Sequence, residues 1–307
     1  DGGQTATWAA SHGQTLSSNK DTGEGWPGCR DIDHKSDNVR NNYNAYLKFL
    51  LEDLGYTGFR YDMVKGFAPE YVAQYNQVAQ PQFSVGEYWD NSTATKLWVN
   101  GTKVNNVPQS AAFDFPFRYT VRDAANSGDW SKLENASNAP LINSRQFRQY
   151  AVTFVENHDT QTRSASEPLD PIKKDTLAAN AYLLAMPGTP CVFYRHWLDH
   201  KQAIKAMIEV RRAAGIVNTS VPTIVSREPK QYVVSVAGTK GTLLCVLGDE
   251  AENYAPDATQ YVKVLSGQHY AYFLSRSTNA LLLDKPSGEY EAAFTAKVTS
   301  VSESKQT

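Results

Sequence analysis

Three acids in this 307-residue chain stand where chemistry is possible: Asp62 in GFRYDMVKG, Glu87 in SVGEYW and Asp159 in TFVENHD. Arg60 precedes Asp62 by two residues, and on a strand two such side chains share a face. A cation beside a carboxylate keeps it ionised and suited to act as a nucleophile. Each acid alone also reads as a cap or a surface salt bridge, and exposed pairs of that kind contribute little. Three of them at successive strand ends, one beside Arg60 and one beside His158, form a constellation. Paired carboxylates are what glycosidic cleavage needs: one protonates the leaving oxygen, and the other attacks C1 or activates water. Three carboxylates also suit a divalent cation, the rival chemistry.

The elements that must position these acids follow from periodicity. Residues 57–66 alternate Phe59, Tyr61 and Met63 with Arg60, Asp62 and Val64, a strand pattern. Further strand patterns cover 82–89, 111–117, 151–159 and 190–194. The clearest helix spans 37–54, with Val39, Tyr43, Tyr46, Leu47, Leu50, Leu51 and Leu54 on one stripe, Ser36 or Asp37 as its cap and Gly55 at its end. Helices are also expected over 69–80, 172–186 and 199–214. Apolar strands alternating with helices imply a parallel sheet. With acids at the C-terminal strand ends, the expected class is α/β, a (β/α)8 TIM barrel of which five strands are found. An open doubly wound sheet is the rival, but no glycine-rich phosphate loop supports it. From about Pro222 short β runs joined by Gly, Asn, Asp and Ser predict an antiparallel β domain. The expected divisions are a loop region over 1–35, the catalytic part over 36–218 and the β domain over 219–307.

Composition narrows the partners. A net charge of −2 and a pI near 6.3 give no footprint for nucleic acid or an anionic membrane. No run reaches the roughly 18 apolar residues of a membrane span. The first residues, DGGQTATWAASHGQ, lack a signal-peptide core. The 17 Tyr and 6 Trp supply flat rings that suit sugar faces and cores alike. Cys29, Cys191 and Cys245 are too few and too dispersed for a disulfide framework, and Cys191 and Cys245 read as small core residues. Residues 1–35 are rich in Gly, Ser, Thr, Asn and Asp and read as one long loop. Asp21 and Asp31 flank DTGEGWPGCRD in it. Carboxylates on such a loop either wrap a calcium ion or are simply solvated.

GFRYDMVKG, SVGEYW and TFVENHD, in this order, resemble three signature segments of the α-amylase family of glycoside hydrolases, closest to the plant-type enzymes and their bacterial relatives. DTGEGWPGCRDIDH, PGTPCVFY and the C-terminal β runs extend the resemblance through nearly the whole chain. It implies a retaining hydrolase of internal α-1,4 bonds in starch, glycogen or maltodextrins, and so an α-glucan as the partner. Asp62 resembles the nucleophile, Glu87 the general acid/base and Asp159 the acid that stabilises the transition state. Arg60 would orient Asp62, His158 would bond the sugar at the cleavage subsite, and Lys65 and Trp89 would contact sugars on the leaving-group side. The resemblance also implies a structural calcium ion held by the side chains of Asp21 and Asp31 and the carbonyls of Glu24 and Gly66. Other expectations from it are a secreted or periplasmic location and, for a complete barrel, a monomer. A transglycosylase, an exo-acting relative and a non-catalytic glucan-binding fragment share the same motifs. Two departures stand out. The family's Asp–Asn–His segment is absent, as are the first three strands, so a chain lacking the N-terminal part of the barrel is expected. Arg195 also stands where relatives commonly carry an acid.

Overall fold

The structure is a computed structural model that describes residues 3–26 and 31–278. It divides into two compact units, Asp1–Phe113 and Asp114–Thr307. Within the first, α1 (Gln4–Ser11) forms inside the stretch whose composition reads as loop. Its Gln and Ala residues favour helix, and the surrounding Gly and Ser masked that local preference. The helix α2 (Asp37–Glu52) starts where the Ser36 hydroxyl accepts from the Val39 N–H. Of the stripe read on it, Leu47 is buried against Tyr71 and Tyr75, while Tyr46 and Leu54 stay exposed.

The strand β1 (Gly58–Tyr61) is shorter than its alternating pattern. Met63 turns into the left-handed region at φ 45°, and a 3-10 turn covers Val64–Gly66. Next come α3 (Pro69–Ala79), with Pro69 in its first turn, β2 (Phe83–Gly86) and α4 (Ser92–Gly101). A small hairpin, β3 (Lys103–Val104) with β4 (Val107–Pro108), leads to β5 (Ala111–Phe113). β1 and β2 pair in parallel with Arg60 opposite Val85 and Tyr61 opposite Gly86, and β2 pairs in parallel with β5.

The second unit begins at Asp114. The run AAFDFPF was expected to be strand throughout, but Asp114 stops it. Its carboxylate accepts from the Phe117 N–H and caps α5 (Phe115–Ser127). Farther on, β6 (Ala151–Thr153) and β7 (Thr189–Pro190) pair in parallel on either side of α6 (Thr176–Ala185). α6 is buried all round from Ala178 to Ala185, as an apolar helix must be. The run PCVFY was also expected to be strand; β7 ends at Pro190, and Tyr194 already begins α7 (Tyr194–Asp199). Cys191 is exposed there, contrary to its reading as core, whereas Cys245 is buried. The next helix, α8 (Lys201–Ala214), ends on Gly215 at φ 69°.

Five antiparallel strands follow in the spatial order β11-β12-β10-β9-β8: β8 (Val221–Glu228), β9 (Gln231–Ala237), β10 (Thr242–Leu247), β11 (Tyr261–Gly267) and β12 (Tyr270–Ser275). One face buries Val233, Leu244, Val246, Ala271 and Phe273. The Tyr272 hydroxyl donates to the Ala181 carbonyl and ties β12 to α6. The expected strand EYEAAFTAKV lies outside the described residues.

Candidate active site

The parallel register of β1 and β2 builds the site in the first unit. Tyr61 sits opposite Gly86, and the Glu87 N–H donates to the Tyr61 carbonyl at 2.9 Å. The next residue on each strand is therefore an acid, Asp62 beside Glu87. Neighbouring strands run about 4.8 Å apart, so adjacent carboxyls are inevitable, and the two hydrogen-bond to each other. Arg60 reaches both. Its Nη1 donates to Asp62 Oδ1 at 2.5 Å and its Nη2 lies 2.8 Å from Glu87 Oε1. The left-handed turn at Met63 aims that residue's N–H at Glu87 Oε2, 3.2 Å away.

The two carboxyls differ in their surroundings. The Asp62 side chain is 67% exposed and that of Glu87 is 7%. Burial pushes the Glu87 carboxyl above the ordinary glutamate range; Arg60 pulls it partly back, and the bond with Asp62 pushes it up again. One acid is thus wet and the other is held toward its neutral form. Gly86 sets Glu87's place from below, because a Cβ on it would lie 2.1 Å from the Trp98 ring of α4.

Lys65 and Trp89 flank this pair in sequence. The Lys65 ammonium lies 2.8 Å from Asp90 and 3.1 Å from Glu24, and Asp90 is the main cause of its raised pKa. Trp89 is 37% exposed. The loop carrying Asp21 and Glu24 docks on the turn after β1. The Glu24 N–H donates to the Lys65 carbonyl at 2.8 Å, the Ala68 N–H donates to the Thr22 hydroxyl, and Gly23 lies so close that a Cβ would meet the Gly66 carbonyl carbon at 2.3 Å. Asp21 and Asp31 hydrogen-bond to each other. Burial and the Asp21 charge raise the Asp31 pKa, while the Gly23 N–H lowers that of Asp21. Among the described residues no group of three His, Cys, Asp or Glu side chains forms a metal cluster. A cation here would draw on two carboxylates and on backbone carbonyls, oxygen donors of the kind calcium accepts.

Asp159 belongs to the second unit, six residues beyond the end of β6. Its N–H donates to the Asn157 side-chain oxygen at 3.0 Å, a local turn that fixes its direction. His158 Nε2 lies 3.0 Å from its Oδ2 and Arg163 Nη2 lies 2.6 Å from its Oδ1, so both carboxylate oxygens have partners. Asp90, Arg163 and Glu156, which are bound to the expected residues or set close beside them, had no role in the sequence reading. Their partners lie across loops or in other elements, where no periodicity marks them.

No family model matches the chain. The probable α-amylase 2 of Arabidopsis thaliana is 31% identical over 274 residues, 82% of this chain and 63% of that protein. The glucan 1,4-α-maltotetraohydrolase of Stutzerimonas stutzeri is 30% identical over 220 residues, 66% of this chain and 39% of that protein. The chain therefore spans less than two thirds of the length of both relatives. A solved structure of an AmyP variant in complex with maltotriose matches with a TM-score of 0.61 at 15% identity, over 84% of this chain and 71% of that one. That likeness is one of fold: the parallel strands and their helices are part of a (β/α)8 barrel, and the antiparallel sheet follows them.

Proposed function

Because this chain belongs to the α-amylase family of glycoside hydrolases, we propose that its protein hydrolyses internal α-1,4 bonds of an α-glucan with retention at C1. The observation that carries this reading is Arg60 gripping two adjacent carboxyls, one exposed and one buried with a raised pKa. In the first step Glu87 gives its proton to the glycosidic oxygen while Asp62 attacks C1. The C1–O bond breaks as an ester forms to Asp62. The Glu87 carboxylate then takes a proton from water, whose oxygen displaces Asp62 from C1. Carboxyls about 5 Å apart suit this double displacement; a pair near 9 Å would leave room for water and invert.

Asp159 is assigned the third role, bonding sugar hydroxyls through the carboxylate oxygens that His158 and Arg163 now hold. His158 would bond the same sugar. Lys65 would reach a sugar hydroxyl on the leaving-group side, with Trp89 stacking beside it. Calcium, if bound, would be held by the Asp21 and Asp31 carboxylates with the Glu24 and Gly66 carbonyls, and would supply charge neutralisation that pins the loop to β1. Maltotriose in the AmyP complex supports a glucan as the substrate class. The maltotetraohydrolase relative favours a second reading, exo-action that releases short oligosaccharides.

The test is hydrolysis of amylose by the wild-type chain and by Asp62→Asn and Glu87→Gln. Each substitution is expected to lower kcat by at least about a thousandfold; cleavage at the wild-type rate in either variant contradicts the assignment. Early release of mixed long fragments supports endo-action, and a single short product from the start supports the exo reading.

A further inference from the structure

We propose that Glu156, His196 and Asn180 form a buried positioning network that sets the Asp159 turn, a role that rests on the reading of Asp159 as a sugar-binding acid. All three lie in the second unit, with side chains almost wholly buried. Glu156 Oε2 lies 3.0 Å from His196 Nε2 on α7, and Glu156 Oε1 accepts from the Ile172 N–H at 2.8 Å. On the far side of the ring, Asn180 Nδ2 on α6 lies 3.2 Å from His196 Nδ1 and also donates to the Thr176 carbonyl at 2.8 Å.

The donors fix the state of the ring. An amide nitrogen can only donate, so His196 Nδ1 accepts and the ring hydrogen sits on Nε2, donating to Glu156. Every hydrogen of the chain points toward the carboxylate. From there two short connections lead to Asp159. Glu156 is followed by Asn157, whose side-chain oxygen holds the Asp159 N–H. Ile172 closes the loop that begins at Thr160, and a second bond, from the Asp170 N–H to the Thr160 carbonyl, closes it again. That loop carries Arg163 to Asp159. One buried carboxylate thus anchors the acid's turn, its arginine partner's loop and α7.

Stability alone does not account for these residue types. Apolar side chains of the same volume commonly stabilise a core as well as or better than a buried ionisable network. Here the Asn180 oxygen is buried with no hydrogen-bond partner, which adds a cost. What the polar trio adds is direction: it fixes the angle at which the strand end leaves β6, and misplacing a catalytic group by about 1 Å costs up to roughly a hundredfold in rate.

The experiment compares Glu156→Gln, His196→Leu, His196→Gln and Asp159→Asn in the full chain, measuring kcat and KM on maltoheptaose together with Tm. Glu156→Gln replaces one of the two acceptor oxygens with an amide NH2, which must face the N–H of either His196 or Ile172, and His196→Leu removes the donor. Both are expected to lower kcat by roughly 10- to 100-fold with KM within about threefold of wild type. His196→Gln keeps an N–H donor toward Glu156 and is expected to restore kcat to within about threefold. Wild-type kcat in Glu156→Gln and His196→Leu overturns the proposal, including when their Tm falls, since that is the behaviour of a purely structural network. Failure of the underlying reading shows separately, as Asp159→Asn retaining wild-type kcat. Should the core variants fail to fold, nitrogen NMR of the wild-type His196 ring decides: a proton on Nε2 alone supports the network, and one on Nδ1 overturns it.

Discussion

Glu87 is a carboxyl that folding makes reluctant to ionise, and that reluctance has a thermodynamic signature. Its folded pKa lies above that of the unfolded chain because burial outweighs the pull of Arg60. Below the ordinary glutamate value of about 4.3 both states are protonated, and the burial costs nothing through linkage. As pH rises through the folded value the unfolded chain releases its proton first, and stability is lost. Glu87→Gln is therefore expected to raise Tm above wild type at neutral pH and to leave it nearly unchanged at about pH 3.5, measured by calorimetry. A gain at acid pH alone would mean that the sign is wrong. The Arg60–Asp62 pair was legible in the sequence because a strand's period of two places such residues together. The pairing of Asp62 with Glu87 was legible only as strand ends, since register is set by tertiary packing. Arg163 and Asp90 were not legible at all: their partners are chosen by loop paths.

At the scale of elements, two close approaches hold the site's parts in place. On β2, Gly86 lets the Trp98 ring of α4 lie against the backbone beside Glu87; three ring atoms would come within 3 Å of an added Cβ. Gly86→Ala is expected to cost about 1–3 kcal/mol in urea unfolding and to lower kcat with it, by displacing the acid. On the loop, Gly23 would bring a Cβ against the backbone of residues 65–67 at 2.3–2.4 Å. Gly23→Ala is expected to free that loop, read as faster amide hydrogen exchange at Glu24, whose N–H otherwise bonds to Lys65. Unchanged protection there would count against the docked loop. Helices with explicit caps, such as α2 after Ser36 and α8 before Gly215, were legible from residue types. Strand lengths were not. Asp114 turns an apparent strand into a helix start, because a cap is a local device that overrides an apolar run; α7 begins at Tyr194 with no side-chain cap to mark it. The helix α1 was hidden for the converse reason: a short helical preference sits inside polar, glycine-rich flanks.

For the whole molecule, the paired carboxylates of Asp21 and Asp31 make a linkage prediction that needs no activity. They hydrogen-bond to each other on a loop docked to the turn after β1. A cation that binds only the folded chain stabilises it by about 2.7 kcal/mol at a hundredfold excess over Kd. Calcium is expected to raise Tm, a chelator to remove the gain, and Asp31→Asn to abolish the response. An identical Tm with calcium and with chelator would remove the ion from the account. The double displacement proposed at Asp62 is tested most directly by trapping its ester. The chain is incubated with a maltosyl fluoride that carries fluorine at C5 of the reacting ring, and its peptides are read by mass spectrometry. One glycosyl adduct is expected on Asp62, absent in Asp62→Asn. An adduct on another residue, or hydrolysis of amylose by a chain in which Asp62 is never labelled, would contradict it.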